Sequence, residues 1–267
     1  MLQSPGITDA PGITDALDRT LLDRTLLDHA LLDHALPDHA LLHGTIGAEP
    51  RMRLYLSSFR IGNRPQELLR LLGDGGRRTA LIVNADDYKD AEGRAASLKR
   101  EMDELTGIGL DPFEVDLREY FGRAEALQEV LSGVDAVYVR GGSVFVLRRA
   151  FSRSGADEII KRLLERDAFV YAGYSAGPCL LGPTLRGVEG EVDNPELIPE
   201  GYEDTTLDWD GLGVLPYAIA PHFRSDHPES AEIDKLVEYY IEHHMPFVAL
   251  RDGQALVIDG DSTTVAG

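Results

Sequence analysis

Short apolar runs alternate with helix-spaced apolar stripes along most of this chain. Arg53 to Ser57, Thr79 to Asn84, Pro112 to Val115, Asp135 to Val139 and Phe169 to Ala172 read as strands, each a short run rich in apolar or β-branched residues. Between them, apolar positions recur at three and four residues. Leu68, Leu69 and Leu72 form one face of a helix opened by Pro65 and closed by Gly73. Ala91, Ala95, Leu98, Met102 and Leu105 form the next face, and Leu127, Val130 and Leu131 a third that ends at Gly133. Ile159, Ile160, Leu163 and Leu164 predict the helix before the Phe169 strand. Further on, Tyr217 to Ala220, Pro246 to Leu250 and Gln254 to Ile258 read as strands, and Pro228 opens a helix faced by Ile233, Leu236, Val237, Tyr240 and Ile241. Strands separated by helices imply parallel crossovers and a sheet covered on both sides. The expected fold is α/β, a three-layer α/β/α sandwich around a mostly parallel central sheet, with its site beyond the carboxyl ends of the strands.

Two stretches break this rhythm. Pro5 to Ala10 is repeated at once as Pro11 to Ala16, and five-residue units then run from Leu17 to Leu41. A period of five fits neither helix nor strand, so these leucines cannot hold one face. Residues 1–51 are therefore expected to be a low-complexity extension, with Met52 opening a single folded domain over 52–267. At the same spacing His29, His34, His39 and His43 spiral around a helix instead of converging, which argues against a metal site. The second stretch, Pro183 to Asp210, is rich in Gly, Pro, Glu and Asp and reads as a long surface excursion near the site.

Composition narrows the class of function. Of 267 residues, 43% are hydrophobic and 27% charged, as in ordinary globular proteins. No apolar run reaches the roughly 20 residues needed to span a bilayer, and no basic segment followed by an apolar one marks a signal peptide. The net charge is −20, of which residues 1–50 contribute −6, leaving −14 for the rest. Such a balance disfavours nucleic acid and anionic membranes as partners. Cys179 is the one cysteine, which excludes an internal disulfide and fits a cytoplasmic setting.

Candidate chemistry gathers at the strand ends. The Phe169 strand runs into Gly173-Tyr174-Ser175-Ala176-Gly177, a G-x-S-x-G, a pattern suited to a sharp strand-to-helix turn that exposes one serine hydroxyl. The backbone N–H of Ala176 then faces the same space as Ser175. The Asp135 strand ends in Arg140-Gly141-Gly142-Ser143, where paired glycines let backbone N–H groups approach a ligand. Gly142 is the expected second oxyanion donor. No G-x-G-x-x-G accompanies it, so no dinucleotide cofactor is expected. A serine needs a neutral imidazole to take its proton, and the imidazole needs a carboxylate to set its tautomer. His222 follows the Tyr217 strand and is the candidate base, while His227, His243 and His244 lie in a turn and at a helix end. Asp252 follows the Pro246 strand and is the candidate acid, with Asp226 and Glu229 as rivals. An α/β-hydrolase runs serine, acid, histidine; here the acid comes last.

Taken together, Val139-Arg-Gly-Gly-Ser143, Gly173-Tyr-Ser-Ala-Gly177, Ala220-Pro-His-Phe223 and Leu250-Arg-Asp-Gly253 resemble the dipeptidase E (aspartyl dipeptidase) serine peptidases and the related cyanophycinases. The resemblance covers about Met52 to Ile258. It implies a class I glutamine amidotransferase-like fold, and a triad of Ser175, His222 and Asp252 that cuts short peptides without metal or cofactor. It further implies oxyanion donors at Gly142 and Ala176 and substrate contacts from Gly141, Ser143, Tyr174 and Arg224. A small peptide is the implied partner, and a homo-oligomer is compatible with it. Two departures stand out. The third triad position carries Asp where the family usually has Glu. Pro228 to Asp234, where the family places an arginine for the substrate aspartate, holds Glu229, Glu232 and Asp234 and no Arg or Lys. The role of Glu189, Glu191 and Asp193, near the family's acidic position, stays open. An amidase or cyanophycinase-like β-aspartyl hydrolase uses the same residues. A catalytically inactive binding protein on this fold is the reading from another class.

Overall fold

Strand and helix alternate as the apolar pattern predicts, in a computed structural model that describes residues 51–190 and 192–267. The N-terminal repeats with His29, His34, His39 and His43, together with Glu191, lie outside the described residues. The first five strands are β1 (Arg53–Ser57), β2 (Arg78–Ile82), β3 (Asp111–Glu114), β4 (Ala136–Val139) and β5 (Val170–Tyr174). They pair in parallel in the order β3-β2-β4-β5-β1. Four further strands follow: β6 (Ala218–Ala220), β7 (Phe247–Ala249), β8 (Ala255–Asp259) and β9 (Ser262–Ala266). Strand β8 joins β1 antiparallel, and β9 closes the seven-stranded sheet on the outside of β8.

Seven α-helices lie among the described residues. They are α1 (Pro65–Leu72), α2 (Ala91–Gly107), α3 (Ala124–Leu131), α4 (Val144–Ser154), α5 (Ala156–Leu164), α6 (Ala176–Leu180) and α7 (Ser230–Glu242). They divide between the two faces of the sheet. Successive residues of a strand point to opposite sides, so Leu54, Leu56, Val137, Val139 and Tyr171 pack with helices α3, α4, α5 and α7. On the other side Tyr55, Ala136, Tyr138, Val170 and Ala172 pack with Leu68 of α1 and Leu105 of α2. Both faces being covered, β4 and β5 are buried along their whole length. That is why those strands read as continuous apolar runs with no alternation.

Three features were not visible in the pattern. Strands β6 and β7 form a separate two-stranded parallel sheet, with Ala218 opposite Phe247 and Ala220 opposite Ala249. The edge of β1 that they could have extended is already taken by β8. Strand β9 carries an exposed Ser-Thr-Thr start, which gives no apolar signal. Finally, the Pro183–Asp210 excursion contains no helix or strand among its described residues. Its ends meet at an antiparallel bridge between Thr184 and Asp210. Buried arginines of α4 hold it down: Arg148 donates to Asp210 O (2.9 Å), and Arg149 to Thr205 O (2.6 Å) and Pro195 O (3.0 Å). No described helix is long and apolar enough to cross a membrane.

Candidate active site

Strand β5 ends in a forced turn. Ser175 takes φ 52° and ψ −109°, and α6 begins at the next residue. Few L-residues adopt this conformation, and it persists only where the surroundings impose it. The two glycines of the pattern are the surroundings' demand. A Cβ on Gly173 would collide with the Val139 carbonyl oxygen, and one on Gly177 would come to 2.7 Å of the same oxygen. Close approach of β4 to the turn thus requires glycine on both sides of the serine. Gly141 is squeezed in the same way, since its Cβ would sit 2.8 Å from Ser175 Cβ. The Gly141–Gly142 turn therefore lies directly against the serine.

The candidate base and acid come from the small second sheet. Strands β6 and β7 run parallel and in register, so their carboxyl ends deliver His222 and Asp252 to one place. His222 is 1% exposed, and its Nδ1 lies 2.7 Å from Asp252 Oδ1. A carboxylate there holds the proton on Nδ1 and leaves the lone pair on Nε2. Ser58 locks the pair: its Oγ accepts from the His222 amide (2.7 Å) and donates to Asp252 Oδ1 (2.8 Å). The neighbouring residue, Ser57, accepts from the Ser175 amide at 3.4 Å. Ser175 and His222 are thus both pinned to the end of β1. Burial lowers the His222 pKa, Asp252 opposes the shift and His227 adds to it. The His227 ring stacks on His222 at 3.7 Å and 7°, and Phe59 meets both edge-on.

Gly142, Ser143, Ser175 and Ala176 border a cavity of about 360 Å³. Gly142 takes φ +142°, and a Cβ would lie 2.7 Å from the Ala85 carbonyl and from Asp86 Oδ1. Among the described residues no acceptor is bonded to the N–H of Gly142 or of Ala176. Ser143 caps α4 by accepting from Val146 N (3.2 Å) and donates to Asp193 Oδ2 (3.0 Å). Asp193 also accepts from Val144 N at 2.7 Å and Phe145 N at 3.3 Å, so the excursion docks on the helix start through this carboxylate. Burial raises the Asp193 pKa against those hydrogen bonds. Glu189 accepts from Gly187 N in a local turn and bridges to Asp193 through the backbone. Cys179 also lines the cavity, but burial pushes its thiol up to about 12, so it stays protonated.

The remaining expected contacts fall elsewhere. Tyr174 faces away from the cavity: it is 4% exposed and its hydroxyl donates to Glu101 Oε1 at 2.9 Å. The reason is strand alternation, which sends Tyr174 to the α1–α2 face. Arg224 is not among the described residues lining the cavity, and its guanidinium lies over the Phe223 ring at 5.0 Å. Asp226, a rival acid, is exposed, whereas Glu229 lines the cavity. Ser58 and Phe59 were not legible in the sequence, because their contacts reach across more than 160 residues; the His227 stack on His222 is local in sequence but depends on how the turn between them folds. The described residues offer one grouping for a metal ion, His222, His227 and Glu229, with ligand atoms within 4.8 Å of one another. Two parallel stacked rings cannot both hold one ion in plane, so this grouping is not prearranged for a metal.

The sequence profile of Peptidase family S51 matches residues 61–266. Peptidase E of Streptomyces coelicolor is 32% identical over 142 residues, covering 51% of this chain and 54% of the relative. A Drosophila melanogaster protein named "Probable alpha-aspartyl dipeptidase" is 27% identical over 150 residues, 54% of this chain and 57% of its own. The alignments thus span a little over half the length of these curated relatives. A solved structure from Listeria monocytogenes EGD-e superposes with a TM-score of 0.64 at 21% identity, over 81% of this chain and 98% of that one. It attests the fold.

Proposed function

Because the chain belongs to peptidase family S51, we propose that it is a serine peptidase that cleaves short peptides through Ser175, His222 and Asp252. One observation carries the proposal. A buried histidine tied to Asp252 at 2.7 Å hangs from the strand end that also holds the Ser175 amide.

The chemistry follows from the atoms. Ser175 Oγ attacks the scissile carbonyl carbon while His222 Nε2 takes the hydroxyl proton. The carbonyl becomes a tetrahedral oxyanion, met by the N–H groups of Gly142 and Ala176; removing one such donor elsewhere costs on the order of 10²–10³ in rate. The C–N bond then breaks, His222 returns its proton to the departing amine, and an ester to Ser175 remains. Water attacks that ester with His222 again as base, freeing the acid and restoring the hydroxyl. Asp252 holds the proton on Nδ1 and stabilises the imidazolium. The size of the cavity limits the substrate. About 360 Å³ lies near the lower end of the ~300–1,000 Å³ range for small-ligand sites, room for a residue or two and not a folded chain.

Ser175→Ala tests the reading. Hydrolysis of dipeptides by the purified protein is expected to fall by on the order of 10⁴–10⁶. Hydrolysis that survives the substitution refutes it.

A further inference from the structure

The cavity beside Ser175 has a charge of its own. Asp193 and Glu229 line it, and no lysine or arginine does so among the described residues. The two acids differ in their surroundings. Asp193 is met by four donors: Ser143 Oγ and the amides of Val144, Phe145 and Asn194. Glu229 forms no side-chain hydrogen bond or ion pair with a described residue. Burial raises its pKa, Asp193 adds to the rise, and His227 is the neighbour that opposes it. A half-buried carboxylate facing a cavity is stabilised by a cation entering that cavity. The rest of the wall suits what would carry the cation. Val188, Val192, Leu197, Ile233 and Leu236 are apolar and line the same space. An aliphatic stem ending in an ammonium or guanidinium matches both features, its methylenes on the apolar wall and its head on Glu229.

We propose that this cavity is a specificity pocket for a substrate residue with a cationic side chain, lysine or arginine, and that Glu229 selects it. The proposal rests on the serine peptidase reading of the site. It runs opposite to an aspartyl preference. A substrate carboxylate would enter beside two protein carboxylates with no cation lining the wall, and like charges at a site discriminate strongly against a ligand.

The test has a catalytic arm and a binding arm. Three dipeptides are compared: lysyl-alanine, norleucyl-alanine and aspartyl-alanine. All share a free amino terminus, so differences report the side chain alone. Their kcat/KM values are measured on the full chain, and their Kd values by calorimetry on Ser175→Ala protein. Lysyl-alanine is expected to exceed norleucyl-alanine by about tenfold or more in both arms, as for a charge-assisted contact. Aspartyl-alanine should be the weakest of the three. Glu229→Gln, a near-isosteric change, should bring lysyl and norleucyl peptides within about threefold of each other, and Glu229→Lys should favour the aspartyl peptide. Equal binding of lysyl and norleucyl peptides by the Ser175→Ala protein overturns the proposal, as does an aspartyl preference. The two readings fail separately. Lysyl preference in binding with no hydrolysis of any peptide would sink the peptidase and keep the pocket. Ser175-dependent hydrolysis blind to the side chain would do the reverse.

Discussion

His222 is buried in a place that disfavours its charged form. Burial and His227 lower its pKa, and Asp252 pulls the other way without winning. The consequence has a definite sign. A base must be neutral to accept a proton, so a lowered pKa keeps it competent at more acidic pH. The acid limb of kcat/KM is expected to have its midpoint below about 6.5, the ordinary histidine value. A pH profile on a dipeptide checks this, and a midpoint at or above that value contradicts the assigned environment. The site residues differ in how legible they were. Ser175, His222 and Asp252 could be singled out as candidates because each follows an apolar run at a strand end. Tyr174 was expected at the substrate from the family resemblance, whereas alternation along β5 turns it toward Glu101. His227 looked like a turn residue; its stacking on His222 belongs to the folded loop and leaves no trace in spacing.

Between β4 and β5, backbone proximity decides which residues are allowed. Val139 O occupies the space that a side chain at Gly173 or Gly177 would need. Gly177→Ala is expected to destabilise the fold by roughly 1–3 kcal/mol, because overpacking against backbone cannot relax by a rotamer change. Urea unfolding followed by circular dichroism measures it, and an unchanged midpoint would show that the turn has room to give. The strands of the central sheet were readable as such, because burial on both faces leaves continuous apolar runs. Partnership was harder. Strands β6 and β7 have three residues each, and nothing in so short a run tells which edge it will join. The arginines that fasten the excursion were also hidden, since Arg148 and Arg149 sit in a helix where arginine normally reads as surface.

Seen as a whole, the molecule assembles its site from distant segments around the end of β1. The Ser175 turn and the His222 and Asp252 loops meet there, the Gly141–Gly142 turn lies against Ser175, and the Asp193 excursion docks on the start of α4. Three-layer architecture and site location follow from the alternation of elements, and the Listeria monocytogenes structure shares that fold. The cavity is lined by a handful of side chains, and relatives aligned over little more than half their length do not fix what those side chains select.

The central claim is that Ser175 is an activated nucleophile. Treating the native chain with a fluorophosphonate and mapping the adduct by mass spectrometry tests it most directly. A single adduct on the Ser175 peptide, lost in Ser175→Ala and slowed by about 10³-fold or more in His222→Gln, is the predicted result. No adduct at Ser175, or labelling as fast without His222 as with it, would contradict the account and leave an inert serine in a well-made turn.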